Sequence, residues 1–435
     1  MGSGRRQEGA NVIEPPVDLS FVIPTLNESA NLEALLPELS RVSGQLGLRS
    51  EVIVVDGRSS DGTAEVACRL GARVLDVPGR YGDAIVAGLR AAAGAYTITM
   101  DADLSHGPDV VQRLWASRHP LTIGIGSRYV PGGSQTTAPL RAILSRILNA
   151  VFARGLSLPV RDVSSGFRIY PTHAVRGLEP TATDFDILPE LLVRAHAAGW
   201  RAIEVPFEYR ARRSGSSKAR VSRLGLAYAR TFGRLWRLRN SIDSADYDER
   251  AYDSVVPLQR YWQRRRHSIV TRAARGQGRV LDVGCGSSRI LRDLGDVVGL
   301  DIAFERLRYM SRYGVPLVHG SIFALPFADA AFDTVVCSEV IEHIAASDVV
   351  FHELTRVLRP GGHLVLGTPD YDTWSWRAIE AAYRHLAPGG YADEHITRYG
   401  HRQLRDLVVA LGYRHVRSEY VAGSEMILTF EKRCA

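Results

Sequence analysis

Hydrophobic positions in the first half of the chain come as short dense runs separated by stretches of helical period. Leu19 to Ile23, Glu51 to Val55, Arg73 to Val77 and Tyr96 to Met100 each have the length and composition of a strand. Leu35 and Leu39 recur at helical spacing behind Asn27 and Ser29, either of which is suited to cap a helix. Tyr81 to Ala93 and Leu188 to Ala198 read as further helices. Strands alternating with helices predict a parallel α/β sheet, whose ligands sit beyond the carboxyl ends of its strands. Pro24, Asp56 and Asp101 fall at those ends. The pattern returns later, with a helix over Tyr261 to Ala274, a strand Arg279 to Val283 opening into Gly284-Cys285-Gly286, and a strand Val297 to Asp301.

Length turns this into an expectation of separate domains, because 435 residues exceed one ordinary core. Residues 1–17 are polar and read as a disordered leader, 18–240 as the first domain, 241–256 as a polar, acidic linker and 257–435 as the second domain. The four cysteines are scattered with no C-x-x-C pair, which fits a reducing compartment without disulfides. No run of roughly 18 apolar residues occurs, so nothing is expected to span a membrane.

Charge changes the picture less. A net charge of +7 attracts polyanions, yet the arginines over 210–239 and 264–266 lack the aromatic interleaving of an RNA motif, so nucleic acid is not an expected partner. Two segments are basic amphipathic helices. Leu140, Ile143, Leu144, Ile147, Leu148, Val151 and Phe152 recur among Arg141, Arg146 and Arg154. Val221, Leu224, Tyr228, Phe232 and Leu235 do so among the arginines between Lys218 and Asn240. Such a stripe either packs on the core or rests on a membrane surface. The expectation is a cytoplasmic protein with peripheral contact at the inner face of the cell membrane.

Candidate chemistry begins at Met100-Asp101-Ala102-Asp103. Alternation along an extended chain aims Asp101 and Asp103 the same way, and paired carboxylates suit Mg²⁺ or Mn²⁺ holding a diphosphate. The same pair also caps turns, so its surroundings decide. Phe21-Val22-Ile23-Pro24-Thr25-Leu26-Asn27-Glu28, Val54-Val55-Asp56-Gly57-Arg58-Ser59-Ser60-Asp61-Gly62-Thr63 and Met100 to Ser105 resemble glycosyltransferase family 2, of GT-A fold. Gly126-Ser127-Arg128-Tyr129, Asp162 to Tyr170 and Ser216-Ser217-Lys218 are similar, in the same order, to the dolichol- or polyprenol-phosphate mannosyltransferases.

That resemblance covers 18–220. It implies a nucleotide-sugar donor, GDP-mannose or a UDP-hexose, bound near Pro24 and Asp56, a metal on Asp101 and Asp103, and polyprenyl phosphate as acceptor. It places Arg168 and Lys218, with Arg128, on the diphosphate or the acceptor phosphate, and makes Asp103, Arg168 and Lys218 the expected catalytic residues. Gly57 departs from the family, where that position is often acidic. A phosphate acceptor is already an anion, whereas a hydroxyl acceptor needs a base. Asp184 and Asp186 are the candidates for it, with helix capping the competing role of at least one.

In the second half, Asp282-Val283-Gly284-Cys285-Gly286 sets two glycines where backbone approaches a ligand. Arg289 stands where a dinucleotide fold would want a third. The stretch resembles the class I S-adenosylmethionine-dependent methyltransferases, a Rossmann-like fold, over 257–432. Phe332 to Cys337, Glu339-Val340-Ile341-Glu342-His343 and Leu358 to Gly362 continue the likeness. It implies S-adenosylmethionine lined by Asp282, Gly284, Gly286, Asp301 and Ile322, with Asp301 on the ribose hydroxyls. Glu342, His343 and His395 are candidate bases, His343 the favoured one, and 370–388 is the expected lid over the acceptor.

The two halves together predict a bifunctional enzyme. One moves a hexose, expected to be mannose, to a polyprenyl-phosphate-type acceptor, and the other methylates a related acceptor. The alternatives are transfer to a hydroxyl of a glycan or natural product with a tailoring methyltransferase, or one half serving as a non-catalytic binding module.

Overall fold

The computed structural model describes residues 16–210, 221–386 and 395–434, apart from the side chains of 221–224 and 382–386. The expected leader falls outside this set up to residue 15. The chain divides into two compact units, one running to Ala195 with Arg201–Leu235, the other holding His196–Trp200 with the chain from Trp236 on.

The first unit is built on β1 (Leu19–Thr25), β2 (Ser50–Asp56), β3 (Arg73–Asp76), β4 (Tyr96–Thr99), β5 (Thr122–Ser127), β6 (Ser134–Gln135), β7 (Arg168–Pro171), β8 (Arg201–Pro206) and β9 (Glu208–Tyr209). Seven of these form one sheet in the order β3-β2-β1-β4-β7-β5-β8, while β6 and β9 pair separately. Phe21, Ile23, Ile98, Phe167 and Ile169 bury one face of the sheet as its core. β1, β2, β3 and β4 run parallel as expected, but β7 is antiparallel to both β4 and β5. The reason is topological: β5 ends at the carboxyl edge and β7 begins there, with no crossover to return the chain.

A second departure concerns the cap of the helix Ser29–Gln45. Neither Asn27 nor Ser29 caps it with its own side chain. Asp61, from the loop after β2, accepts from the Ser29 amide at 3.1 Å and its hydroxyl at 2.9 Å. Asn27 sits at φ 57 and accepts from the Ser60 amide, tying the two loops together.

The second unit contains β10 (Val280–Val283), β11 (Val297–Asp301), β12 (Leu317–His319), β13 (Phe332–Ser338), β14 (Leu358–Pro369), β15 (Tyr413–Val421) and β16 (Glu425–Lys432). Their order is β12-β11-β10-β13-β14-β16-β15, parallel except for β16, which runs antiparallel to β14 and β15. Strand order reverses between β10 and β13, so a crevice opens at the carboxyl end of β10, above the glycine turn. The segment 241–256, expected as a linker, carries the helix Tyr247–Tyr252. Asp248 exchanges hydrogen bonds with Ser287 in that turn, so this stretch is part of the unit's architecture. The next helix starts earlier than its apolar period suggested, at Pro257.

Candidate active sites

In the first unit, Thr25 and Asp56 end adjacent strands in register, and Asp101 follows β4 on the other side of β1. Pro24 is half-buried one residue before the end of β1. Asp56 is buried and already engaged, accepting from the Ser59 amide at 2.8 Å and the Thr25 hydroxyl at 3.0 Å. It therefore shapes the loop that Ser59 starts.

Asp101 and Asp103 lie in a turn that its own side chains organise. Tyr81 donates its hydroxyl to Asp101 Oδ1 at 3.3 Å. The Asp101 amide donates to Nδ1 of His106 at 3.0 Å, and His106 Nε2 faces Asp101 Oδ2 at 3.8 Å. Asp103 Oδ1 accepts from the Ser105 amide. His106, which the sequence did not single out, is buried and stacks on Phe167 at 4.9 Å between ring centres. Burial holds its pKa below the usual imidazole range, so it acts as a neutral prop. Gly166 is the other unforeseen part: a Cβ there would come within 2.8 Å of the Tyr81 hydroxyl. Hard carboxylate oxygens in a partly open turn fit Mg²⁺ or Mn²⁺.

The expected cations are placed differently. Arg168 opens β7 opposite Thr99 and is fully buried. Its guanidinium donates to the carbonyls of Leu188, at the start of the helix Ile187–Ala197, and of Val163, both at 2.6 Å, so it ties that helix to the loop before β7. A β-strand alternates faces, and here Arg168 takes the inward one. Arg128 is paired bidentately with the buried Asp162, at 2.7 and 2.8 Å, and Asp162 with its hydrogen bonds holds the Arg128 pKa above its usual value despite burial. Lys218 lies outside the described residues. Asp186 is buried and accepts from the Thr231 hydroxyl at 2.7 Å, which removes it as an accessible base. Asp184 remains half-buried, with Oδ1 accepting from the Phe185 amide.

A cavity of about 750 Å³ lies along the helix Pro139–Gly155, lined by Arg128, Arg146, Arg154 and Arg161. On that helix Leu140, Ile143, Leu144, Ile147 and Val151 are all exposed, Leu140 at 70%. The second amphipathic stretch behaves in the opposite way. Its Tyr228 and Phe232 pack edge-on against Phe152 and its Leu235 is buried.

In the second unit Asp282, Gly284, Gly286, Asp301, Ile322 and His343 all line one cavity of about 820 Å³. Gly284 and Gly286 adopt φ of 69° and 53°. A Cβ would meet Val340 at 2.2 Å from the first and Asp248 at 2.6 Å from the second, so backbone forms the cavity wall there. Asp301 accepts from the Gly286 and Ala303 amides, at 2.8 and 2.7 Å, and a carboxylate has lone pairs left for two hydroxyls. Asp282 is buried, its Oδ2 has no hydrogen-bond partner, and burial followed by Asp301 and Asp248 pushes its pKa up to about 8. An orphaned carboxylate oxygen beside a glycine cradle fits a ligand that brings positive charge, as S-adenosylmethionine does. Asp248 and Tyr252, from the supposed linker, line the same cavity. Their polar context concealed them in the sequence.

Around His343 the groups converge. Glu342, His343 and His395 each offer an atom within 4.8 Å of the others. Burial raises the Glu342 pKa to about 8, and burial with the charges of His343 and Arg398 lowers that of His395 to about 4. The helix Trp374–Leu386 begins within the expected lid, and its Trp376 stacks on His395. No described helix is long and apolar enough to cross a membrane.

Comparison with known proteins bears on the family of each half. Residues 20–178 match the family "Glycosyl transferase family 2" and residues 281–366 match "Methyltransferase domain". The chain is 30% identical to the polyprenol monophosphomannose synthase of Mycolicibacterium smegmatis over 56% of its own length and 97% of that protein's. It is 34% identical to the dolichol-phosphate mannosyltransferase of Pyrococcus furiosus over 52% of its length, spanning 65% of that enzyme, just under two thirds. A solved glucosyl-3-phosphoglycerate synthase from Mycobacterium tuberculosis, with Mn²⁺, UDP-glucose and phosphoglyceric acid, aligns at 21% identity and TM-score 0.41, covering 52% of this chain and 80% of that one.

Proposed function

Because the chain belongs to glycosyltransferase family 2 through its first unit, we propose that this unit transfers a hexose from a nucleotide-sugar to a phosphate-bearing acceptor. The second unit, a class I methyltransferase-type domain, methylates a related acceptor from S-adenosylmethionine. Asp101 and Asp103 are the residues that would hold Mg²⁺ or Mn²⁺, and the cation would neutralise charge on the departing diphosphate. Tyr81 and His106 hold Asp101 in place and the Ser105 amide holds Asp103, which spares reorganisation during reaction. Pro24 and the Asp56 loop border the donor.

The observation that carries the acceptor class is the arginine-lined cavity along Pro139–Gly155. Arg146, Arg154 and Arg161 are exposed there, and guanidinium groups bind phosphate oxygens in pairs. The exposed apolar stripe on the same helix supports a prenyl chain as the phosphate's carrier, in line with the names of the mycobacterial and archaeal relatives. A hydroxyl acceptor is supported by a different feature. Asp184 precedes Phe185, which stacks on Tyr81 at 4.4 Å, next to Asp101.

Turnover with GDP-mannose or UDP-glucose and Mn²⁺, offered a short polyprenyl phosphate or 3-phosphoglycerate, separates the two acceptors. The lipid phosphate is expected to react, and Asp184→Asn to leave its rate unchanged. A loss of about 10²-fold or more in kcat with binding intact would make Asp184 the base for a hydroxyl. Asp103→Ala is expected to abolish sugar transfer to either acceptor, and metal-dependent transfer surviving it would overturn the assignment.

A further inference from the structure

We propose that Glu342, His343 and His395 form a second divalent-cation site, separate from Asp101 and Asp103, at the wall of the cavity in the second unit. Rather than supplying a general base, the three side chains would hold a cation that receives an acceptor oxygen. This rests on the methyl-transfer reading of that unit.

Three observations carry it. The first is convergence: one oxygen of Glu342 and one ring nitrogen of each histidine lie within 4.8 Å of one another, the only such group of three or more acidic, histidine or cysteine ligands among the described residues. The second is an unexplained buried oxygen. Glu342 is fully buried, Thr368 donates to its Oε2 at 3.1 Å, and its Oε1 has no hydrogen-bond partner. A carboxylate enclosed in this way with one oxygen unpartnered is costly unless it takes up a proton or a cation, and a bound cation would fill that place.

The third observation is how His395 is held. Its Nδ1 meets the Tyr371 hydroxyl at 2.5 Å and Trp376 stacks on its ring at 6.0 Å. In the tautomer whose Nδ1 donates to Tyr371, Nε2 keeps a lone pair, the usual arrangement behind a metal-bound imidazole. Two imidazoles with one carboxylate favour a first-row transition ion over Ca²⁺, and leave coordination positions for the acceptor.

Because His343 and His395 line the same cavity as Asp282 and Asp301, the cation would stand near the methyl donor. That selects an acceptor presenting a hydroxyl. Its proton passes to water, its oxygen forms the new bond to the methyl carbon, and the breaking carbon–sulfur bond returns its electron pair to sulfur, leaving a neutral thioether.

The test uses metal-stripped full-length Asp103→Ala, which lacks the other carboxylate pair, titrated with Co²⁺ in the presence of S-adenosylmethionine. One equivalent of Co²⁺ with visible d–d absorption is expected. Glu342→Gln and His395→Ala should each weaken it by about 10–100-fold, with calorimetric S-adenosylmethionine binding retained as the check on folding. His415→Ala, remote in sequence and outside the cluster, should leave it unchanged. Absence of stoichiometric Co²⁺ in the Asp103→Ala protein overturns the proposal without needing any further variant, as does equal affinity in Glu342→Gln. If Co²⁺ binds as expected but S-adenosylmethionine does not, the cation site stands and the methyl-transfer reading falls.

Discussion

At Asp282 a buried carboxylate with an unpartnered oxygen lies against a cavity, and its pKa is pushed up to about 8. A cationic ligand favours the ionised form, so binding below about pH 8 must expel a proton. S-adenosylmethionine affinity is therefore expected to rise between about pH 6.5 and 8.5. Calorimetry at neutral pH in buffers of different ionisation heat should show proton release, and Asp282→Asn should remove both effects. Affinity independent of pH would contradict the role. Stability of the ligand-free fold runs the other way. The folded pKa lies above the unfolded one, so the contribution is complete below the ordinary carboxylate range and is lost as pH rises through about 8. The reverse case at this scale is Arg168, whose cationic side chain serves the interior. Arg168→Met removes the bonds from its guanidinium to two buried carbonyls and is expected to cost roughly 3–5 kcal/mol, seen as a lowered unfolding transition of the first unit. A folded protein with normal stability and a selective loss of kcat would restore Arg168 to the phosphates.

At the scale of elements, two helices with the same basic amphipathic pattern have opposite fates. Val221–Arg239 packs Tyr228 and Phe232 onto Phe152 and buries Leu235, whereas Pro139–Gly155 leaves Leu140, Ile143, Leu144, Ile147 and Val151 in solvent beside Arg141, Arg146 and Arg154. Period alone cannot separate these, because a stripe facing a core and a stripe facing a lipid surface have the same spacing. Ile143→Glu with Ile147→Glu is expected to weaken sedimentation with anionic vesicles by an order of magnitude or more, each buried apolar side chain contributing roughly 1.5–3 kcal/mol. Donor binding should persist, and unchanged vesicle binding would argue against a lipid-facing helix.

For the whole molecule, each site is contained within one unit. Asp56, Asp101, Asp103 and Tyr81 belong to the first, and every residue lining the larger cavity belongs to the second. Asp103→Ala is thus expected to abolish sugar transfer while leaving S-adenosylmethionine binding intact, and Asp282→Asn to leave sugar transfer intact. Loss of both activities by either folded variant would show that the units are not independent.

What the sequence determined by itself is local and sequential. Strand-length apolar runs, the glycines that a left-handed turn requires, and carboxylates at strand ends are written in consecutive residues. So β1, β2, β3 and β4 of the first unit, β10 and β11 of the second, and the turns carrying Asp101 and Gly284 were legible, as were both families. Only the tertiary structure decided which partner each side chain meets. It made Arg168 a strut, gave the helix cap to Asp61, folded Asp248 of the supposed linker into the glycine turn, and drew His395 from 52 positions beyond His343 into one cluster. The physical reason is that hydrogen bonds and ion pairs act over a few ångströms in space. Their partners lie far apart in the chain, and periodicity carries no information about them.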